Sequence, residues 1–248
     1  MKALILAAGK GTRLKPLTDN IPKALVPVAG IPMIDYVIKN LINAGINNIA
    51  VNLHHLGNYI KNYLPQKYPK VNFYFSDEND KLLDTGGAIK KLSAFLRNDN
   101  KPFIVHNVDI LTNLNLTDLI NFHIKSNNTV TIAVKNRNTS RYLLFNNNNL
   151  LCGWENNKTN EKILLDNKTN NIKKLAFSGI QVISPDIFEN MPDKEVFSVI
   201  DLYLKLATYL KITAYIHNND FWFDLGKKET IQEAEKFLFT INNKLLNM

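Results

Sequence analysis

Over its first 105 residues the chain alternates four short apolar runs with three segments of helical spacing, and nothing else in it constrains the fold as tightly. Residues 3–8 read as a continuous apolar strand. In residues 33–44, Ile34, Val37, Ile38, Leu41 and Ile42 fall at i, i+3, i+4, i+7 and i+8, with Gly45 as the stop. A strand at 49–53 follows, and then Leu56, Tyr59, Ile60, Tyr63 and Leu64 repeat the helical spacing up to Pro65. A strand at 71–75, a helix over 86–96 and a strand opening at 103 complete the order β-α-β-α-β-α-β. Strands joined through helices run parallel, and right-handed crossovers put helices on both faces. The spacing therefore predicts a doubly wound α/β fold with a mostly parallel sheet. Ligands on such sheets bind beyond the carboxyl ends of the strands.

Beyond about residue 136 the pattern loosens. Apolar pieces at 142–145, 163–165 and 175–183, separated by Asn-rich turns, predict hairpins laid over the ligand edge of the sheet. A helix over 198–210, a strand at 212–216 and a last helix over 229–246 follow. No internal repeat or flexible linker breaks the chain, so a single domain over 1–248 is expected, with 1–135 building the sheet and 136–248 a β-rich lid.

Where the first strand ends, the sequence reads Gly9-Lys10-Gly11-Thr12-Arg13, and Lys23 follows ten residues after Arg13. Glycines let backbone N–H groups approach phosphate oxygens, Thr12 adds a hydroxyl, and Arg13 and Lys23 add charge-assisted contacts. This is the composition of a phosphate cradle. A P-loop is excluded, because no Gly-Lys-Ser/Thr triplet stands at the required spacing. A dinucleotide fingerprint is excluded as well, since Leu14 occupies the place of its third glycine.

The charge balance of +8, from 30 basic and 22 acidic residues, permits anionic partners. The excess is scattered through Lys/Asn-rich segments and forms no dense basic block, so no nucleic-acid partner is expected. Cys152 is alone, which rules out an intrachain disulfide and a cysteine-based metal site and suits a cytoplasmic setting. The apolar stretch near Met1 is six residues long and is followed at once by Lys10 and Arg13, unlike a secretory signal. No run reaches membrane-spanning length, and no membrane partner is expected.

The glycine turn, then Pro16-Leu17-Thr18, then Pro22-Lys23-Ala24-Leu25, resembles the N-terminal signature of the sugar-phosphate nucleotidylyltransferases. The resemblance extends over nearly the whole chain. It implies a Rossmann-like nucleotidyltransferase fold, a nucleotide-binding half at 1–135 and a sugar-binding, metal-completing half at 136–248. It also implies transfer of a nucleotidyl group from a nucleoside triphosphate to a sugar 1-phosphate, with Mg²⁺ as cofactor. In that family the acid ending an Asn-Gly-Asp-like strand and the acid of a Trp-x-Asp-x-Gly segment hold the metal. Here these are Asp109 and Asp224, which on their own are equally readable as turn or capping residues.

Further site candidates come from the residues themselves and from the resemblance together. Arg13 and Lys23 would neutralise the phosphates, and Ala8, Gly9, Gly11 and Thr12 would cradle the triphosphate. Thr85 and Gly86, in Asp84-Thr85-Gly86-Gly87, would offer free helix-start N–H groups to the nucleotide, and Asn107 would reach ribose or sugar hydroxyls. Arg141, Glu155 and Gly179 are the sugar-side candidates. His54-His55 lacks a third ligand and reads as packing. One departure stands out: Val108 replaces the glycine that usually precedes the strand-end acid, which leaves either ordinary β backbone or an altered sugar pocket. The expected substrates are UTP and N-acetylmuramate 1-phosphate, with GTP and mannose or heptose 1-phosphate as the alternative. Phosphocholine cytidylyl transfer and an inactive nucleotide-sugar-binding subunit are the remaining readings, and a monomer or small homo-oligomer is expected.

Overall fold

The first apolar run forms β1 (Lys2–Leu6), an interior strand of the sheet. The computed structural model describes residues 1–78, 81–165 and 171–246. After β1 come a small ribbon of β2 (Pro27–Val28) and β3 (Ile31–Pro32), then α1 (Met33–Asn43), β4 (Asn48–Leu53), α2 (Gly57–Lys67) and β5 (Asn72–Asp77). Next are α3 (Asp84–Lys91), α4 (Ser93–Leu96), β6 (Phe103–Asn107), β7 (Ile110–Thr112), α5 (Leu116–Lys125) and β8 (Val130–Lys135). The second half supplies β9 (Arg141–Phe145), β10 (Leu151–Asn156), β11 (Glu161–Leu164), β12 (Lys173–Ile183), α6 (Val199–Leu206), β13 (Ile212–Ile216), β14 (Trp222–Asp224) and α7 (Lys228–Leu246).

β4 and β6 flank β1 in parallel, and β5 extends the parallel set beyond β4. β12 then enters antiparallel beside β6 and β8, so the sheet is mixed. The hairpins of the second half do not lie over the sheet's edge as expected. They belong to the sheet itself, because β12 is long enough to pair with β6 through Ile180–Ile183 and with β9 through Lys173–Leu175. An irregularity between Phe177 and Gln181, with Gly179 at φ +77°, lets one strand serve both neighbours.

Two helix expectations needed adjustment. The helix over 86–96 is two pieces broken at Leu92, and α2 continues through Pro65 to Lys67. α5 and β8 were not anticipated. Asn115 starts α5, its Oδ1 accepting from the N–H groups of Thr117 at 2.9 Å and Asp118 at 3.2 Å.

Both sheet faces are buried, which explains the unbroken apolar character of β1. Ile5 joins Ile38, Leu41, Ile60, Leu64 and Leu119 under α1, α2 and α5, while Leu4 joins Ile89, Leu96 and Leu202 under α3, α4 and α6. A third cluster, Leu14, Val26, Val28, Met33, Leu111, Leu225, Ile231 and Ala234, ties the glycine turn to β7, the end of β14 and α7. Burying a side chain such as Leu14 completely is worth about 1.5–3 kcal/mol, and this third core fixes the distal acid beside the turn.

Candidate active site

The turn after β1 takes its shape from Gly11, which sits at φ +64°. A Cβ there would come within 2.8 Å of Thr18 Cγ2, and the Gly11 carbonyl accepts from Leu14 N–H at 2.9 Å and Thr18 Oγ1 at 2.8 Å. Only glycine fits both the backbone and the space. Leu14 is anchored in the third core, which leaves Gly9, Thr12 and Arg13 at the surface. Lys23 opens a short 3₁₀ turn, and its ammonium pairs with the Asp109 carboxylate, both side chains being mostly buried.

Asp109 follows β6 and immediately precedes β7. β14 runs antiparallel to β7 with Asp224 opposite Ile110, and Leu225 N–H donates to the Asp109 carbonyl at 2.8 Å. The two aspartates, far apart in sequence, are thus neighbours across a three-residue ribbon. Thr112 Oγ1 donates to the Phe221 carbonyl at 2.6 Å, and Phe221 N–H donates to Asn113 Oδ1 at 2.8 Å, which pins the ribbon's other end. Gly226 N–H donates to Asp224 Oδ1 at 2.9 Å. A Cβ on Gly226 would lie 2.9 Å from that oxygen and 3.0 Å from Arg13 Nη2, so Arg13 stands beside Asp224.

Among the described residues no group of three or more His, Cys, Asp and Glu gathers in a metal-binding cluster. The donor set at the ribbon is two carboxylates with hard oxygens. It fits a hard divalent cation completed by phosphate and water oxygens rather than a protein cage.

A cleft of about 420 Å³ opens beside the turn, lined by Ala8, Gly9, Lys23, Asn107, Val108 and Asp109 among others, while Thr12, Arg13 and Asp224 lie outside its lining. Asn52 and Glu78 also line it, and the sequence reading missed both. Asn52 Oδ1 accepts from Ala7 N–H at 2.6 Å and its Nδ2 donates to Glu78 Oε1 at 2.8 Å, while Glu78 Oε2 accepts from Leu83 N–H at 3.0 Å. Each is a polar residue at the end of an apolar strand, where β4 and β5 reach the same sheet edge as β1 and β6. That position was the available signal.

The start of α3 differs from expectation. Thr85 lines the cleft, but its hydroxyl oxygen accepts from Val199 N–H at 3.0 Å, and Gly86 N–H donates to the Phe197 carbonyl at 2.9 Å. A Cβ on Gly86 would sit 2.4 Å from the Phe197 ring, and one on Gly87 would sit 2.0 Å from the Glu195 carbonyl. These glycines make room for the segment before α6, and the Gly86 amide is not free for a nucleotide. Val108 has no positive φ, is 4% exposed, and packs with Ile110 and Leu114. Replacing glycine there is harmless to the backbone, and the valine forms part of the cleft wall.

On the sugar side, Gly179 approaches Asn107 closely; a Cβ would meet Asn107 Nδ2 at 3.0 Å and Ile110 Cγ1 at 2.7 Å. Glu155 is buried and ion-paired with Lys174 at 2.7 Å. Arg141 is exposed on β9 opposite Asn156. His54 Nδ1 lies 2.7 Å from the Glu78 carbonyl, a hydrogen bond rather than apolar packing, and His55 is exposed. Arg137 was not anticipated. Its Nη2 donates to the Phe177 carbonyl at 3.0 Å and its guanidinium lies 3.9 Å from the Trp222 ring centre. Burial pushes the Arg137 pKa down and the Asp224 charge pushes it back up.

Ser178, His217 and Asp220 line up in the order of an acyl-transfer triad, at 2.7 Å and 3.3 Å. Ser178 is fully buried, so no substrate reaches its hydroxyl. The row is a brace: Trp222 Nε1 donates to the Ser178 carbonyl at 2.9 Å, and burial, ahead of the opposing Asp220 charge, pushes the His217 pKa down.

A family model described as nucleotidyl transferase matches residues 2–240. The chain belongs to the nucleotidyl transferase family. It is 38% identical over 136 residues to a mannose-1-phosphate guanyltransferase of Gibberella zeae, covering 54% of this chain and 37% of that protein. It is 29% identical over 245 residues to a UTP–glucose-1-phosphate uridylyltransferase of Synechocystis sp., covering 92% and 60%. An N-acetylmuramate alpha-1-phosphate uridylyltransferase of Neisseria meningitidis is 29% identical over 241 residues, covering 95% and 97%. The chain thus spans only 37% to 60% of the first two of these relatives. In fold it is similar to a putative glucose-1-phosphate thymidylyltransferase from Bacillus anthracis, at a TM-score of 0.78 and 20% identity over 96% of this chain and 94% of that one. A UDP-glucose pyrophosphorylase complexed with UDP-glucose gives 0.74 at 20% identity over 96% and 98%. Among the described residues no helix is long and apolar enough to cross a membrane.

Proposed function

We propose that this chain transfers a nucleotidyl group from a nucleoside triphosphate to a sugar 1-phosphate, releasing pyrophosphate. The observation that carries the reading is the bond from Leu225 N–H to the Asp109 carbonyl, 2.8 Å long, which makes Asp109 and Asp224 neighbours across the β7–β14 ribbon, with Asp109 on the wall of a cleft of nucleotide size. The reaction joins two anions, so positive charge and in-line placement matter more than covalent chemistry. An oxygen of the acceptor phosphate attacks the α-phosphorus and the bond to the β-phosphate bridge oxygen breaks. The attacking oxygen is already ionised, so no general base is needed.

The chain's residues take these parts. Gly9, Gly11 and Thr12 face the triphosphate, with Arg13 beside Asp224 and Lys23 beside Asp109 to offset its charge. Asp109 and Asp224 would hold Mg²⁺, which supplies charge neutralisation at the phosphates when bound. Asn52 and Glu78 close the deep end of the cleft.

For substrates we favour UTP and N-acetylmuramate 1-phosphate, because the Neisseria relative with that printed activity is matched from end to end, 95% of this chain against 97% of it. GTP has one observation behind it: the 38% identity over 136 residues to the mannose-1-phosphate guanyltransferase of Gibberella zeae. Pyrophosphate release measured for UTP, GTP, CTP and dTTP against muramyl, mannosyl, glucosyl and heptosyl 1-phosphates tests the reading. Release is expected with Mg²⁺ and is greatest for UTP with the muramyl phosphate. Nucleotide binding without turnover across the whole panel would reject it.

A further inference from the structure

Beyond the nucleotide cleft, a second cavity of about 490 Å³ lies on the other acid, lined by Arg137, Trp222, Phe223, Asp224, Lys227 and Thr230 among others. Asp109 lines the first cavity and Asp224 the second, so the joined acids stand between two openings.

Arg137 is the feature of the second opening that calls for a ligand. A guanidinium carries five N–H donors. Among the described residues Arg137 spends one bond, from Nη2 to the Phe177 carbonyl, and makes no ion pair, while its Nε is buried without a partner. Stacking on Trp222 holds the group in place, and Trp222 is itself fixed through Ser178 and His217. A partly buried cation oriented by an aromatic face and short of partners is a preformed seat for an oxyanion. On the first side Gly9 and Lys23 line the opening given to the triphosphate. The acceptor remains for the second.

We propose that Arg137 binds the phosphate of the sugar 1-phosphate and, with Lys227 on the same wall, guides it past Asp224 toward the triphosphate. This rests on the nucleotidyl-transfer reading and adds an acceptor-binding residue to it.

Steady-state kinetics of Arg137→Gln and Arg137→Lys test it, with a binding measurement that needs no turnover. In the Gln variant the acceptor KM is expected to rise about 10- to 100-fold while the triphosphate KM stays within about twofold, and Lys recovers only part because it lacks the planar fork. Trp222 fluorescence, read in Trp154→Phe protein, is expected to change on adding glucose 1-phosphate or inorganic phosphate. It should be unmoved by glucose or by N-acetylmuramate, which bears a carboxylate and no phosphate, and the response should vanish in Arg137→Gln. An unchanged acceptor KM in an active Gln variant, or a response to the unphosphorylated sugars, would overturn the inference and leave the proposed reaction standing. Phosphate-dependent fluorescence in a protein that turns over no substrate pair would support the seat and reject the reaction.

Discussion

Gly226→Ala separates the placement of the candidate site from the stability of the fold. An added Cβ would stand 2.9 Å from Asp224 Oδ1 and 3.0 Å from Arg13 Nη2, where ordinary contact begins near 3.4 Å. Both neighbours are ends of side chains, so they yield by about half an ångström rather than forcing the backbone. Gly226 has no positive φ, and alanine there carries no conformational penalty. Stability should stay within about 1 kcal/mol of the parent. A misplacement of 1 Å at a reacting centre costs on the order of 10²-fold in rate, so half that shift should lower kcat about tenfold, or about 1.4 kcal/mol of barrier. The assay is pyrophosphate release alongside urea denaturation. Gly87→Ala is the contrast, since its Cβ would meet the Glu195 backbone carbonyl at 2.0 Å and should destabilise the packing of α3 on the segment before α6. Parental kcat in a folded Gly226→Ala protein would refute the claim that Asp224 and Arg13 border the reacting phosphates.

Lys23→Met leaves the Asp109 carboxylate without its cation and should cost about 1–3 kcal/mol in urea melts and about 10²- to 10³-fold in kcat. Adding Asp109→Asn should restore part of the stability and none of the activity, as a double-mutant cycle would record. Burial pushes His106 and His123 to about 4 in the fold, so both are neutral there and the unfolded chain binds more protons between pH 6.5 and 4. Their contribution is complete above pH 6.5 and is lost as pH falls toward 4, with a combined slope of up to about 2.7 kcal/mol per pH unit; His123→Gln should flatten the pH dependence of urea midpoints, and an unaltered slope would contradict the assignment. Asn115→Ala removes the cap of α5, past the opposite end of β7 from Asp109, and should cost about 1 kcal/mol by thermal or urea melts with kcat unchanged.

The glycine turn and the parallel half of the sheet were legible because both are local. A turn needs consecutive residues, and amphipathic spacing is written into one helix at a time. The meeting of Asp109 and Asp224 was available only through resemblance, since β7 and β14 are three residues each and too short to show a period. Their pairing depends on Leu14, Leu111, Leu225 and Ile231 coming together in a core no segment reveals alone. Asn52 and Glu78 escaped notice because one polar residue inside the 49–53 strand and an acid ending the polar run Ser76-Asp77-Glu78 carry no local sign of a cleft until the strands are set side by side. Thr85 and Gly86 misled for the opposite reason: glycines at a helix start suggest an open amide, and only the fold shows Phe197 filling the space. Arg141 drew attention in sequence over Arg137, yet burial and the Trp222 stack single out Arg137.

The central claim is that one divalent ion sits between Asp109 and Asp224. Mn²⁺ binding followed by electron paramagnetic resonance, with a non-hydrolysable nucleoside triphosphate present, measures this most directly. The expected result is one tightly held Mn²⁺ per chain, displaced by Mg²⁺ and lost in both Asp109→Asn and Asp224→Asn. Unaltered Mn²⁺ binding in either variant would contradict the account.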